Sequence, residues 1–218
     1  MGTQNVNIPK LGIFLGLLAA LAAGLLSVVK ASTSDAIAAN QQKKTSAALE
    51  KILPAFDSVE KMEKSIESKE GWPVEFYVAT KAKKVVGFAG KIVTPKGFSG
   101  DITLMVGLNP DASIRTVIVT ENTETPGLGT VIANRKFTKT IGDILSGKKP
   151  PEGLPPNPYL DQYAKKKAGD AEWKVNKDGG EVDAKTGATI TSRAVCGAVY
   201  AIAKTAADHL DELSKGAK

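Results

Sequence analysis

Cysteine and histidine are each present once, as Cys196 and His209, in a chain of 218 residues. A lone cysteine closes no intrachain disulfide, and export does not require one, so this count leaves the compartment open. Without a cysteine pair there is no attachment for haem and no ligand set for an iron–sulfur cluster. One histidine excludes a histidine-rich metal site, and the expected metal content is none. An electron carrier built on this sequence therefore needs a cofactor that uses neither residue type. Also lacking are a second apolar run long enough to span a bilayer, an internal repeat, and a clear pairing of Asp and Glu side chains for acid–base work. The lysines are scattered and the net charge is only +6, which speaks against nucleic acid as a partner. A mildly basic surface near anionic membrane lipid is a sufficient reading of that charge.

The composition that remains is ordinary for a folded protein, at 42% apolar and 24% charged residues. The length suits one short membrane segment plus one compact domain. Residues 11–29 form an uncharged apolar run between Lys10 and Lys30. As a helix this run reaches roughly 28 Å, close to the hydrocarbon thickness of a bilayer. A cleaved signal peptide competes, with Val29-Lys30-Ala31 as a weak cleavage site, but signal cores are usually about 7–15 residues long. A buried soluble helix would not be apolar on every face. The expected organisation is a tail over 1–10, an anchor over 11–29, a helical connector over 30–73 and a folded domain over 74–218. Charge does not orient the anchor: Lys10 and the terminal amine precede it, while Lys30, Lys43 and Lys44 follow.

Ser32 to Leu53 reads as a helix, with Ser34 or Asp35 at its start and Pro54 at its end. A second short helix is expected over Val59 to Glu67. The pattern then changes. Val74–Ala79, Val85–Ala89, Gly100–Gly107 and Ile114–Thr120 are rich in β-branched residues and separated by Gly, Pro and Asn-Pro-Asp, which predicts consecutive strands of an antiparallel sheet. Phe137 to Leu145 is expected to be a short helix. Gly147 to Pro158 holds five of the eleven prolines and is expected to be an extended loop. Ile190 to Leu213 predicts a strong helix, its apolar stripe being Val195, Val199, Ile202, Ala206 and Leu210. The fold class is α+β: one N-terminal transmembrane helix, then a mainly antiparallel sheet with flanking helices.

Two segments carry possible chemistry. Glu124-Thr-Pro-Gly-Leu-Gly129 follows a predicted strand, and Leu128 between two glycines suits an apolar finger against a flat ring, or a plain turn. Asp183-Ala-Lys-Thr-Gly-Ala-Thr-Ile-Thr-Ser192 precedes the last helix. Its small residues permit close approach, and a helix N-terminus favours a phosphate, with Lys185 and Arg193 as added positive charge. Helix capping by Thr and Ser explains the same residues without any ligand. Cys196 is expected to be packed on the last helix, and Trp72 and Trp173 to serve packing.

In order along the chain, Gly97-Phe-Ser-Gly-Asp-Ile-Thr-Leu-Met-Val-Gly107, Ile114–Val119, Glu124–Gly129 and Asp183–Thr189 resemble the FMN-binding domain family. That family includes the G component of the Rnf electron-transport complex and the C component of the sodium-pumping NADH:quinone reductase. The resemblance covers nearly the whole chain from about Leu11. It implies FMN joined by a phosphoester to Thr189, made by a separate flavin transferase with FAD as donor, with Asp183, Thr186, Gly187 and Ala188 completing the attachment motif. Such a bond leaves the isoalloxazine unaltered, so protein contacts must tune it; Glu124, Thr125, Gly127, Leu128 and Gly129 are the candidates. Relatives often place a histidine just before this stretch, where this chain has Asn122 and Thr123; that histidine does not carry over. The implied function is an electron-transfer subunit of an Rnf-type complex coupling ferredoxin:NAD oxidoreduction to ion movement. Its partners would be the other subunits, and its domain would lie on the outer face of the cytoplasmic membrane. The alternatives are the quinone-reductase component and a cofactor-free anchored assembly module.

Overall fold

The computed structural model describes residues 8–136, 153–169 and 171–215. The helix expected at Phe137–Leu145 and half of the proline-rich loop lie outside them. The chain divides into two compact units, Met1–Lys44 and Thr45–Lys218.

Helix α1 spans Ile8–Ile52. It carries the apolar run, and among the described residues it is the one helix long and apolar enough to cross a membrane. Its large side chains are exposed on every side; Leu17 is 67% and Leu25 62% exposed. A soluble core helix would bury one stripe of these, so the pattern suits lipid. The chain is thus a single-pass membrane protein. The expected helix start at Ser34 or Asp35 is absent, because α1 continues through it. The Ser32 and Thr33 hydroxyls donate to the Val29 carbonyl and that of Ser34 to the Ala31 carbonyl. A hydroxyl that bonds back along the helix caps nothing.

The second unit is built on six antiparallel strands: β1 (Ser58–Lys61), β2 (Ile66–Glu67), β3 (Pro73–Lys81), β4 (Lys84–Thr94), β5 (Ile102–Leu108) and β6 (Ile114–Glu121). Their order is β1-β3-β4-β5-β6, with β2 also paired to β3. Val59–Glu67 is therefore not helical as expected within the 30–73 connector. Ser58–Lys61 pairs with Tyr77–Thr80, and Ile66 with Val74. A short segment whose partner strand is distant in sequence gives no local sign of pairing, and tertiary contact overrides its propensity.

The sheet buries both faces. Phe76, Val78, Phe88, Ile92, Leu104, Val106 and Leu108 point to one side, where they pack with Val195, Val199 and Ile202 of the long C-terminal helix. Tyr77, Ala79, Ala89, Met105 and Ile118 point to the other, against Ala48, Leu49, Ile52 and Leu53. The alternation follows from the two-residue period of a strand. Gly107 lets the end of α1 pass close over β5: a Cβ there would lie 3.0 Å from the carbonyl carbon and the Cβ of Ile52.

Among the described residues the remaining α-helices are α2 (Gly129–Ala133), α3 (Pro158–Asp161), α4 (Thr189–Asp208) and α5 (Leu210–Lys215), with a short 3-10 helix at Asn176–Asp178. The expected helix over Ile190–Leu213 is thus two, broken at His209, whose backbone leaves the helical region at φ −114°, ψ 23°. Of the expected stripe, Val195, Val199, Ile202 and Ala206 are buried.

Candidate functional site

After β6 the chain turns sharply. The Thr125 carbonyl accepts the N–H groups of Leu128 (3.2 Å) and Thr130 (3.3 Å), and Gly127 takes φ +78°, a region L side chains rarely enter. This tight turn makes Leu128 the residue before α2, with its side chain 43% exposed. Gly129 beside it is buried. A Cβ at Gly129 would lie 2.8 Å from the Glu124 Cβ and 2.9 Å from the Thr191 Oγ1, so only glycine fits.

The second segment enters α4 through a turn in which the Ala188 N–H donates to the Lys185 carbonyl at 3.0 Å. Gly187 takes φ +85°. A side chain there would be strained by that φ, and its Cβ would touch Leu128 Cδ2 at 3.4 Å. Ala188 precedes α4 and offers no side-chain cap; the first-turn amides therefore do not receive the protection that Ser, Thr or Asp would give.

The two segments meet at a cavity of about 290 Å³ lined by Glu124, Thr125, Leu128, Gly129, Gly187, Ala188 and Thr189, together with Phe98, Ile190 and Thr191. Seven of the ten residues expected from the sequence thus face one space. Gly127 and Thr186 shape its turns without lining it. Asp183 is turned elsewhere: its N–H donates to Gln162 Oε1 (2.7 Å), and its carbonyl accepts from Gln162 Nε2 (3.1 Å). Arg193 also serves elsewhere, paired through two nitrogens to Asp178 at 2.7 and 2.6 Å. That hydrogen-bonded pair holds the Asp178 carboxyl below its ordinary range.

Phe98 and Ile190 were not among the expected site residues, though Phe98 lies within Gly97–Gly107 and Ile190 within Asp183–Ser192. They are 65% and 47% exposed. With Leu128 they put three large apolar side chains around one opening, which is the signal that sequence patterning could not supply. An apolar rim of this kind marks a binding surface.

The hydroxyls of the second segment are sharply sorted. Thr191 is 1% exposed and donates to Glu124 Oε2 at 2.7 Å. Ser192 is 3% exposed and donates to the Ala188 carbonyl at 2.9 Å. Thr186 is exposed but outside the cavity. Thr189, half-buried as the first residue of α4, is the hydroxyl residue of this segment that lines the cavity without being buried. Just before the first segment, Asn122 donates from Nδ2 to Asn134 Oδ1 (3.0 Å) and Thr123 from its hydroxyl to the Ser99 carbonyl (3.0 Å). Both hold loops together.

A larger cavity of about 570 Å³ lies on the other side of Ile190, lined in part by Glu70, Trp72, Lys96, Trp173 and Arg193. Size does not make it the better candidate. Its charges are mixed, and its tryptophans are already engaged. Lys96 sits 4.8 Å above the Trp72 ring, and Trp173 stacks on Tyr163 at 6.0 Å. Cys196 is buried there as expected, and burial pushes its thiol up to about 11.

The sequence is similar to those of known proteins. Residues 97–204 match the FMN-binding domain family, and residues 1–52 match the RnfG N-terminal region. The class is therefore an FMN-binding domain behind an N-terminal apolar helix. Over most of its length the chain is similar to the G component of ion-translocating oxidoreductase complexes. It is 34% identical to that of Shewanella oneidensis over 90% of this chain and 88% of the relative. It is also 34% identical to that of Photorhabdus laumondii over 93% of both, and to that of Escherichia coli K12 over 88% of both. This chain belongs to the RnfG family, the G components of ion-translocating oxidoreductase complexes.

Proposed function

We propose that this chain carries FMN covalently on Thr189 and passes electrons between the other subunits of a membrane ion-translocating oxidoreductase complex. The observation that carries the reading is the sorting of hydroxyls: Thr191 and Ser192 are buried and bonded, whereas Thr189 lines the apolar-rimmed cavity without being buried. The residues present fit the group. Phe98, Leu128 and Ile190 offer exposed apolar surface to a flat ring, Gly187 leaves room beside Leu128, and the uncapped start of α4 suits a phosphate.

Attachment is a phosphoryl transfer catalysed by a separate flavin transferase. Thr189 Oγ1 would hold the flavin through a phosphoester, the transferase taking FMN from FAD with loss of the hydroxyl proton and AMP as the leaving product. Bound FMN supplies one- and two-electron chemistry; Leu128, Phe98 and Ile190 shield it from water. Covalent attachment retains a cofactor that a shallow cavity alone would release. The protein has no substrate chemistry of its own, and the FMN domain lies on the outer face of the cytoplasmic membrane, where the transferase acts.

Thr189→Val tests the attachment. The swap keeps the β-branched shape and removes the nucleophile, so intact-mass measurement should show a folded chain without an FMN adduct. An adduct that persists, or that maps to Thr186 or Thr191, refutes the assignment.

A further inference from the structure

Glu124 is 4% exposed, and its bonded partners are all neutral. Oε1 accepts the backbone N–H groups of Phe98 (2.7 Å) and Ser99 (3.3 Å), and Oε2 accepts the Thr191 hydroxyl (2.7 Å). Its own N–H donates to Asn122 Oδ1 at 3.3 Å. Glycine surrounds the carboxylate: a Cβ at Gly97 would lie 2.8 Å from Oε1, and one at Gly129 would also collide with it. A buried carboxylate without a cation is expensive, and a turn needs none. A fully satisfied buried polar group, however, selects a single arrangement of the segments it joins.

The segments joined here are the three walls of the cavity. The loop after β4 carries Phe98. The turn after β6 carries Glu124 and Leu128. The first turn of α4 carries Thr189, Ile190 and Thr191. Helical geometry ties Thr189 to Thr191, so anchoring the Thr191 side chain inward fixes which way Thr189 faces. We propose that Glu124 is a positioning residue, its buried carboxylate clamping Thr191 to the Phe98–Ser99 loop so that Thr189 faces the cavity and the apolar walls hold the flavin ring in one pose. This rests on the reading of Thr189 as the FMN attachment site.

The two carboxylate oxygens do separable work, which makes the clamp testable. In Glu124→Gln the amide oxygen can accept from the Phe98 and Ser99 N–H groups, while the amide nitrogen donates to Thr191 Oγ1. The connectivity survives and the charge is lost. Glu124→Ala removes both arms. Thr191→Ser keeps its donor, and Thr191→Val removes it with little change in shape.

The experiment uses the full chain, coexpressed with a flavin transferase. Attachment is read by intact mass, ring order by visible circular dichroism and flavin fluorescence anisotropy, and folding by thermal denaturation. Glu124→Gln and Thr191→Ser should flavinylate within about twofold of wild type and keep its visible dichroism. Glu124→Ala and Thr191→Val should lose about tenfold in attachment, as expected for a lost buried hydrogen bond, and their remaining flavin should show a mobile ring. The double variant should be no worse than the worse single one. Should Glu124→Ala fail to fold, Thr191→Val carries the test. Wild-type attachment and dichroism in folded Thr191→Val would overturn the proposal, as would a Gln variant as defective as Ala. A wild-type chain with no adduct would instead overturn the FMN reading, and the clamp with it.

Discussion

Truncating Leu128 to alanine separates a flavin contact from ordinary core packing. Complete burial of a leucine side chain is worth about 1.5–3 kcal/mol. Leu128 is 43% exposed, however, so removing its outer carbons should cost the cofactor-free domain only about 1 kcal/mol. For a domain of this size that is a fall in Tm of about 2–4 °C. A leucine filling the core would instead cost about 2–5 kcal/mol. The effect on a bound flavin has a different origin. Leu128 Cδ2 leans over the place where a Gly187 Cβ would stand, at 3.4 Å, near Thr189, the proposed attachment point. Shortening the side chain admits water to the ring and changes the relative stability of its oxidised and reduced forms. A differential of about 1.4 kcal/mol moves a one-electron potential by about 59 mV. The adduct should persist, because the covalent bond does not depend on Leu128. Redox titration and thermal denaturation of the same purified variant give both numbers. A stability loss above about 2 kcal/mol, with flavin potential and spectrum unchanged, would refute the contact.

Four other outcomes are expected. Gly129→Ala should destabilise the domain by about 1–3 kcal/mol and lower flavin attachment, since the new methyl displaces Glu124 or Thr191; equilibrium denaturation with intact mass checks both. Removing residues 1–30 leaves the unit Thr45–Lys218 intact and should give a soluble domain, while protease added to intact spheroplasts should digest the domain of the full chain. Finally, the domain should weaken in alkali. Burial raises the Cys196 thiol from 9.0 to about 11, and burial followed by the Glu75 charge raises Tyr77 from 10.0 to about 12. Both folded-state values lie above the unfolded ones, so the unfolded chain holds fewer protons at high pH. The stability these groups contribute is complete below about pH 9 and is lost as pH rises toward about 12. Urea denaturation between pH 8 and pH 11 should show the decline, and Cys196→Ala should flatten its lower part.

Several features were legible in the residues alone because their causes are local. Nineteen uncharged residues between Lys10 and Lys30 suffice for a membrane helix, whatever follows. The β-branched runs from Val74 to Thr120 paired as expected, since each strand meets its neighbour through a short turn. The two motifs were readable as separate strings. Other features depend on parts of the chain that are far apart. Ser58–Lys61 is a strand only because Tyr77–Thr80 lies beside it. The start of a separate helix at Ser34 vanished because the preceding turns were already helical, and extending a helix is easier than starting one. The cavity itself is a tertiary product. In it Thr191 meets Glu124 across 67 residues of sequence, and Phe98, Leu128 and Thr189 line the same space. Sequence spacing sets which residues share a strand or a helix turn; only packing decides which hydroxyl is buried on a carboxylate and which lines the cavity without being buried.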